Sequence, residues 1–403
     1  PQQSASTASA AAADSGEAGT YDVMQELSTF NRGQNASAKA PTTPEEYITL
    51  KGDGVLSAGG GCEQLGIKPA DFMLNKPAWL GDAPEVSDIA DTEECDVLVI
   101  GGGGAGLCAA LSAAENGAQV ILAEKLSQLG GATMLSGGAI PVVGTRQQVE
   151  AGVQDSTFAM ATDILRPTNY TVRPDLVHTV AENAKDLIEW TERMGVVWNL
   201  DERGRFGQTA RRMHIAEGTG EGLVAKLIEH MGAQDAITQM LSFEIEGLVL
   251  DDSDAVAGAY GTHDGKACTI TARNVVLATS GFANNPDMIA RYCPETAEAV
   301  KVVAMGATGE GIEWAEELGV ELQCMGAYQG HAFRGVDSNT TAGHQALATN
   351  GAIIVNSNGE RFVNEYGGYS DLSPHVLAQP GHIGYLCFTD AQAEKSKEFP
   401  ERQ

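Results

Sequence analysis

The densest chemical signal in the chain is the run Gly101-Gly102-Gly103-Gly104-Ala105-Gly106. It fits G-x-G-x-x-G. The first glycine allows a tight turn after a strand, the second lets backbone approach a pyrophosphate, and the third lets a helix lie close on the sheet. The N–H groups and dipole at the start of that helix favour a diphosphate. Glu124 stands 23 residues after Gly101, where its carboxylate can accept hydrogen bonds from a ribose diol. Lys125 follows, then Gly130-Gly131-Ala132-Thr133 and Ser136-Gly137-Gly138. These two glycine clusters would bring further backbone N–H groups toward the pyrophosphate and the chain beyond it. A nicotinamide-binding domain proceeds instead to another β-α unit, so the glycine density favours FAD.

Such a motif works only if a strand delivers it and a helix receives it. Cys95-Asp96-Val97-Leu98-Val99-Ile100 reads as a buried parallel strand, Ala105 to Asn116 as a helix closed by Gly117, and Gln119 to Glu124 as a second strand. The crossover is expected to be right-handed. A long helix is predicted over 174–194, started by Pro174 and ended by Gly195, with Val177, Val180, Ala184, Leu187 and Thr191 as its apolar stripe. A helix over 221–231 buries Leu223, Leu227 and Met231. Strands follow near 243–250, 255–260 and 267–271, with Asp264-Gly265 as a hairpin turn. Val275-Val276-Leu277-Ala278 reads as another buried strand, ending at Thr279-Ser280-Gly281. The fold class is therefore α/β: a Rossmann-like parallel sheet with an antiparallel appendage.

The formal charge of −29 repels phosphate backbones and anionic lipid, which argues against nucleic acid as a partner. No run of 18 apolar residues exists, so no transmembrane helix is expected. The seven cysteines make no C-x-x-C, so no local metal or cluster motif is read and no metal is expected. Residues 1–45 are Ala/Ser/Thr/Gly-rich and read as a flexible arm, and 46–92 as an irregular extension that packs on the main body. The opening Pro1-Gln2-Gln3 and the Ser/Ala run after it read as a linker left by a removed signal, hence an exported protein. Arg211-Arg212 reads as a solvated pair, with contact to an anionic substrate as the alternative.

These segments resemble the soluble fumarate-reductase and urocanate-reductase flavoproteins, a broad group that includes bacterial reductases acting on the lactone of cardiac glycosides. The resemblance runs through the strand and glycine run at 96–106, Glu124-Lys125, Gly130-Gly131 and Ser136-Gly137-Gly138. It continues in Ala278-Thr279-Ser280-Gly281-Phe282, Gly306-Ala307-Thr308-Gly309-Glu310-Gly311, and Asn356 to Glu365. It implies an FAD-binding domain over 93–325 and part of an α+β capping domain over 326–403, whose C-terminal portion lies beyond this sequence. Ala278, Thr279, Gly281 and Glu310 join the cofactor set. The flavin is expected to be held non-covalently, because covalent relatives use a His near the second glycine cluster and Ala132-Thr133-Met134 offers none.

The activity implied is reduction of an activated C=C bond in a small unsaturated substrate, with electrons from a separate cytochrome- or quinol-linked donor, in the setting of anaerobic respiration. Hydride leaves flavin N5 and a protein acid supplies the proton. Tyr369 stands where the family has its acidic Arg; a tyrosine can donate a proton but cannot clamp a carboxylate bidentately. His331, in His331-Ala332-Phe333, keeps the family histidine, while His344, Gln345 and Ala348 replace its relay residues. Tyr369 and His331 are thus the catalytic candidates; His344, Gln345 and Glu365 are the substrate-binding ones. A structural tyrosine and a hydrogen-bonded loop histidine are the alternatives for the first two. The missing relay disfavours fumarate and favours a bulkier, less charged enone, enoate or unsaturated lactone. A dehydrogenase or oxidase working in the desaturating direction, or a non-catalytic electron relay, is the competing reading.

Overall fold

A computed structural model describes residues 91–168, 170–201, 208–336, 344–365 and 369–396; the side chains of Asp91, Thr92, His344, Gln345, Thr349, Tyr369 and Ser370 fall outside that description. The expected arm and nearly all of the expected extension lie outside the described residues.

In chain order the strands are β1 (Asp91–Ile100), β2 (Val120–Glu124), β3 (Ala139–Pro141), β4 (Trp198–Leu200), β5 (Met213–Ala216), β6 (Ile237–Leu241), β7 (Phe243–Leu250), β8 (Val256–His263), β9 (Lys266–Leu277), β10 (Ile353–Val355) and β11 (Tyr385–Cys387). The helices are α1 (Gly104–Glu115), α2 (Gly131–Leu135), α3 (Arg146–Glu150), α4 (Thr157–Leu165), α5 (Pro174–Arg193), α6 (Thr219–Met231), α7 (Pro286–Tyr292), α8 (Glu310–Glu317), α9 (His344–Thr349), α10 (Tyr369–Leu377) and α11 (Asp390–Ser396).

The main sheet has the order β6-β2-β1-β9-β8-β7. The first four strands run parallel, and β8 and β7 close it as an antiparallel meander. Side chains on successive positions of β1 and β2 alternate between two cores. Val99, Val120 and Leu122 face one core with Leu107 and Leu111 of α1, Ile188 of α5 and Leu227 of α6. Leu98, Ile100, Ile121 and Ala123 face the other with Phe243, Ile270 and Trp314. Burial on both faces is why these strands read as continuous apolar runs. Each fully buried Leu contributes about 1.5–3 kcal/mol relative to exposure.

Three expectations need correction. The predicted strand at 275–278 is not separate: β9 is one 12-residue strand whose first half pairs with β8 and which pairs with β1 from Cys268 to Leu277. Nor is its end buried, since Val276 and Leu277 are exposed. In α5 the stripe is Val177, Ala181, Ala184, Ile188 and Thr191, whereas Val180 is 54 % exposed. A polar Thr191 fits there because it accepts the indole N–H of the buried Trp198 at 2.9 Å. Two features went unread: the third parallel strand β6, and the small sheet of order β3-β5-β4. A further cluster of Phe333, Ala348, Ile354 and Leu372 gathers the C-terminal elements around the β10–β11 pair.

Candidate functional site

The parallel strands β1, β2 and β9 end together at Ile100, Glu124 and Leu277, so the segments that follow them share one edge of the sheet. Open α/β sheets bind ligands at that edge. Gly101 turns out of β1 with φ +107°, and a Cβ there would strike the Ala278 carbonyl. A Cβ on Gly106 would overlap the Gly101 carbonyl oxygen, so this glycine lets α1 start flush against the strand end. Gly103 differs. Its φ of −75° and ψ of −174° suit any residue, and a Cβ there would meet nothing nearer than the Gly131 Cα at 4.0 Å. The backbone beside Gly103 therefore borders open space at the start of a 12-residue helix whose N-cap residue has no side chain to cap it.

The second glycine cluster lies against the first. The Gly130 amide donates to the Gly102 carbonyl at 2.8 Å, Gly103 and Gly130 form a parallel bridge, and the Gly104 amide donates to Thr133 Oγ1 at 3.2 Å. Ala105 and Ala132 are exposed beside these loops. Gly137 and Gly138 lead into β3, and Gly138 packs on the backbone of Thr219. Ala278 continues the β9–β1 ladder by donating to the Ile100 carbonyl, Thr279 packs on Gly311, and Gly281 faces open space.

Glu124 is nearly buried. Its Oε2 accepts the Gly102 amide at 2.7 Å and its Oε1 the Leu126 amide at 2.8 Å. Each carboxylate oxygen keeps acceptor capacity beyond one such bond, so the group is pinned in place yet able to take a sugar hydroxyl. Lys125 does not reach into open space: its ammonium donates to Glu310 Oε1 at 2.7 Å and to Thr308 Oγ1 at 2.5 Å. Thr308 in turn donates to Glu310 at 2.6 Å. Burial pushes the Glu310 carboxyl upward, but the Lys125 and Thr308 hydrogen bonds outweigh it and hold Glu310 below its ordinary value. Asn284 and Asn285 fasten the turn before α8 through Met305, Ala307 and Thr308.

These residues fit a flavin dinucleotide: an open backbone cradle at a helix start, a pinned acid beside it, and a second ring of backbone N–H groups. Thr308 was not foreseen, although it sits between two glycines next to Glu310. Nor was the contact of Thr219 and Gly220 with the second cluster, signalled only by the close glycines of Gly218-Thr219-Gly220-Glu221-Gly222.

The substrate candidates group separately, after residue 326. Phe333 donates its amide to His331 Nδ1 at 3.3 Å and meets the ring edge-on. That bond requires a lone pair on Nδ1, which places the neutral ring's proton on Nε2. Glu365 is buried, and its oxygens accept Arg361 Nε at 3.1 Å, Arg361 Nη2 at 2.6 Å and the Ile354 amide at 2.7 Å. These bonds brace β10 against the following loop. Tyr369 opens α10, and His344-Gln345 open α9; their side chains lie outside the described residues. The Arg211-Arg212 expectation is corrected for Arg212, which is fully buried between Asp155 and Asp163 and is neither solvated nor turned to an anionic substrate. Of the cysteines, Cys95, Cys268 and Cys293 are buried, and burial pushes the Cys95 and Cys108 thiols up to about 11. Among the described residues no group of three or more His, Cys, Asp or Glu could hold a metal ion, and no helix is long and apolar enough to cross a membrane.

Residues 96–395 match the FAD binding domain family. The urocanate reductase of Eggerthella lenta is 34 % identical over 91 % of this chain and 60 % of its own length. A fumarate reductase (cytochrome) of Shewanella frigidimarina is 32 % identical over 79 % of this chain and 56 % of its own. Among solved structures, an open flavocytochrome c3 fumarate reductase aligns with a TM-score of 0.68 at 32 % identity, covering 77 % of this chain and 55 % of the other. A 3-ketosteroid-Δ4-(5α)-dehydrogenase from Rhodococcus jostii aligns with a TM-score of 0.66 at 25 % identity, covering 78 % and 71 %. The chain thus spans no more than about 60 % of the length of these curated relatives.

Proposed function

Because this chain belongs to the FAD binding domain family, we propose that it holds FAD non-covalently and acts within an enzyme that reduces an activated C=C bond. The observation that carries the reading is the cradle at Gly103, open to a diphosphate and flanked by the pinned carboxylate of Glu124. Reduced FAD, when bound, supplies a hydride to one alkene carbon. The backbone of Gly101–Gly106 and Gly130–Thr133 would receive the pyrophosphate, and Glu124 the ribose. Thr133, Gly137, Gly138 and Gly281 would line the remaining cofactor path.

On the substrate side, His331 would lie beside a carbonyl or carboxylate of the substrate and stabilise negative charge developing there. Tyr369 is the proposed acid, giving its phenol proton to the second carbon and recovering it from solvent. Replacement of the family Arg by Tyr369 supports an enone, enoate or unsaturated lactone over fumarate. We also propose the division near residue 326, a cytochrome- or quinol-linked electron donor, and export.

The test is anaerobic turnover of the purified protein with reduced viologen against enoates, enones and unsaturated lactones. Flavin reoxidation should follow one of these classes, and Tyr369→Phe should abolish it while leaving the flavin bound; full activity in Tyr369→Phe would remove Tyr369 as the acid. Denaturation should release all flavin to the supernatant. The likeness to a ketosteroid dehydrogenase supports a second reading, desaturation of a saturated ketone, which is distinguished by oxidation of the ketone with an artificial electron acceptor.

A further inference from the structure

The largest fully buried side chain in the described residues is a charged one, Arg212, the residue immediately before β5. Its guanidinium forks onto Asp155, with Nε to Oδ2 at 2.9 Å and Nη2 to Oδ1 at 2.6 Å, and its Nη1 bonds Asp163 and Gln208. Asp163 also accepts the amide and hydroxyl of Thr209, both at 2.7 Å, and Arg166 at 3.3 Å. Gln148 bridges Asp155 to the Arg211 carbonyl. Two arginines and two aspartates thus balance within one cluster, in which the side chains of Arg212, Asp155 and Asp163 are buried and Arg166 is half-buried. The Arg212 carbonyl accepts the Val142 amide at 2.8 Å and His214 Nδ1 at 2.9 Å, while His214 Nε2 faces Thr145 Oγ1 at 2.8 Å. Since Nδ1 must donate to a carbonyl, Nε2 is the acceptor of the Thr145 hydroxyl.

Clusters of this kind are weak sources of net stability, because desolvation offsets the attraction; their best-attested use is to fix register. Register is what β5 needs. It carries four residues, pairs with three-residue neighbours on both sides, and a one-residue slip would turn every side chain to the opposite face. The other end of β5 reaches the cofactor loops. Ala216 donates to the Gly138 carbonyl at 2.9 Å, and Gly220 to the Ser136 carbonyl at 3.2 Å. Between them Thr219, a β-branched residue, sits at φ +65° against Gly138.

We infer that Arg212 is a positioning residue for the flavin seat: the Arg212–Asp155–Asp163 clamp locks the β3–β5 register, and that register places Gly137, Gly138 and the Thr219–Gly220 turn around the cofactor. The inference rests on the FAD reading above. It is tested with Arg212→Lys, which keeps the charge but loses the fork, and Asp155→Asn, which keeps the shape but loses a charge. Both are compared with wild type for FAD affinity by fluorescence titration well below the melting temperature, and for the midpoint potential of the bound flavin. We expect at least one variant to melt cooperatively, bind FAD at least tenfold more weakly, and show a shifted potential. A merely structural clamp would lower the melting temperature while the folded protein kept wild-type affinity and potential, and that result overturns the inference. Should both variants fail to fold, hydrogen exchange on the wild type decides. Saturating FAD should slow exchange at the Val142 and Thr209 amides, at the clamp end of the sheet; protection confined to 130–138 and 216–220 overturns the inference. Wild-type protein that binds no FAD at all would instead sink the cofactor reading.

Discussion

Replacing Gly103 with alanine separates a glycine kept for a ligand from one kept for the fold. The backbone at 103 is extended, and the added methyl would meet nothing within ordinary contact distance except a Gly131 Cα at 4.0 Å. The apoprotein should therefore fold normally, and should gain up to about 0.4–1 kcal/mol from the less flexible unfolded chain. The methyl would project into the space assigned to the diphosphate. A backbone N–H bonded to a charged group contributes about 1.5–3 kcal/mol, so displacing the phosphate from one such donor predicts a roughly 10- to 100-fold loss of FAD affinity. Gly106→Ala should behave in the opposite way. Its methyl would overlap the Gly101 carbonyl, and overpacking of that kind costs about 1–3 kcal/mol or more before any ligand is added. Thermal melts of both apoproteins, beside flavin titrations by fluorescence quenching, give the comparison. Gly103→Ala binding FAD within threefold of wild type, or losing its fold as Gly106→Ala does, would refute the placement of the cradle.

Other substitutions probe the surroundings. Thr191→Val leaves the buried Trp198 indole N–H unpaired and should cost about 1–3 kcal/mol in urea unfolding followed by tryptophan fluorescence; a loss under 0.5 kcal/mol would contradict that. Burial lowers the pKa of His214 below its usual 6.5, against the opposing pull of the Arg212 carbonyl. The unfolded chain then binds the extra proton first, so stability present above pH 6.5 should fall as pH drops below it. Melting curves of His214→Gln should be flatter across that range. The Glu310 carboxyl, held low by Lys125, contributes stability present above the usual carboxylate range and lost as pH falls through its lowered value. Lys125→Met should shrink that acid-limb loss in a pH series of melts, and an unchanged acid limb would count against the ion pair.

The loops of the candidate cofactor site were legible in the sequence because their residues are local. Gly101–Gly106, Glu124 and Gly130–Thr133 fall within 33 residues, and each ends or follows a strand whose apolar run announces it. The helix α5 was placed within one residue, but periodicity alone could not choose Ala181 over Val180, since the docked face depends on what packs against it. The small sheet stayed invisible because strands of three and four residues carry too little pattern. Arg212 was misread for a related reason: Asp155 and Asp163 lie about 50 residues away, and nothing near Arg212 in the chain signals burial. Of the substrate half, sequence supplied candidates through family likeness only. Glu365 illustrates the limit, since its carboxylate is held by Arg361 four residues earlier and serves the module's own architecture.

The long strand β9 has one further consequence. Among the described residues, Ala272–Leu277 pair with β1 alone, because the ladder to β8 stops at Thr271. Among the described residues no ladder covers the outer side of that segment, which runs beside Val276 and Leu277, both exposed to water. An edge of this kind recruits whatever extended chain reaches it first. Material handled at high concentration should therefore tend to pair edge to edge through these six positions, and a lysine in place of Val276 would be the gentlest way to discourage it.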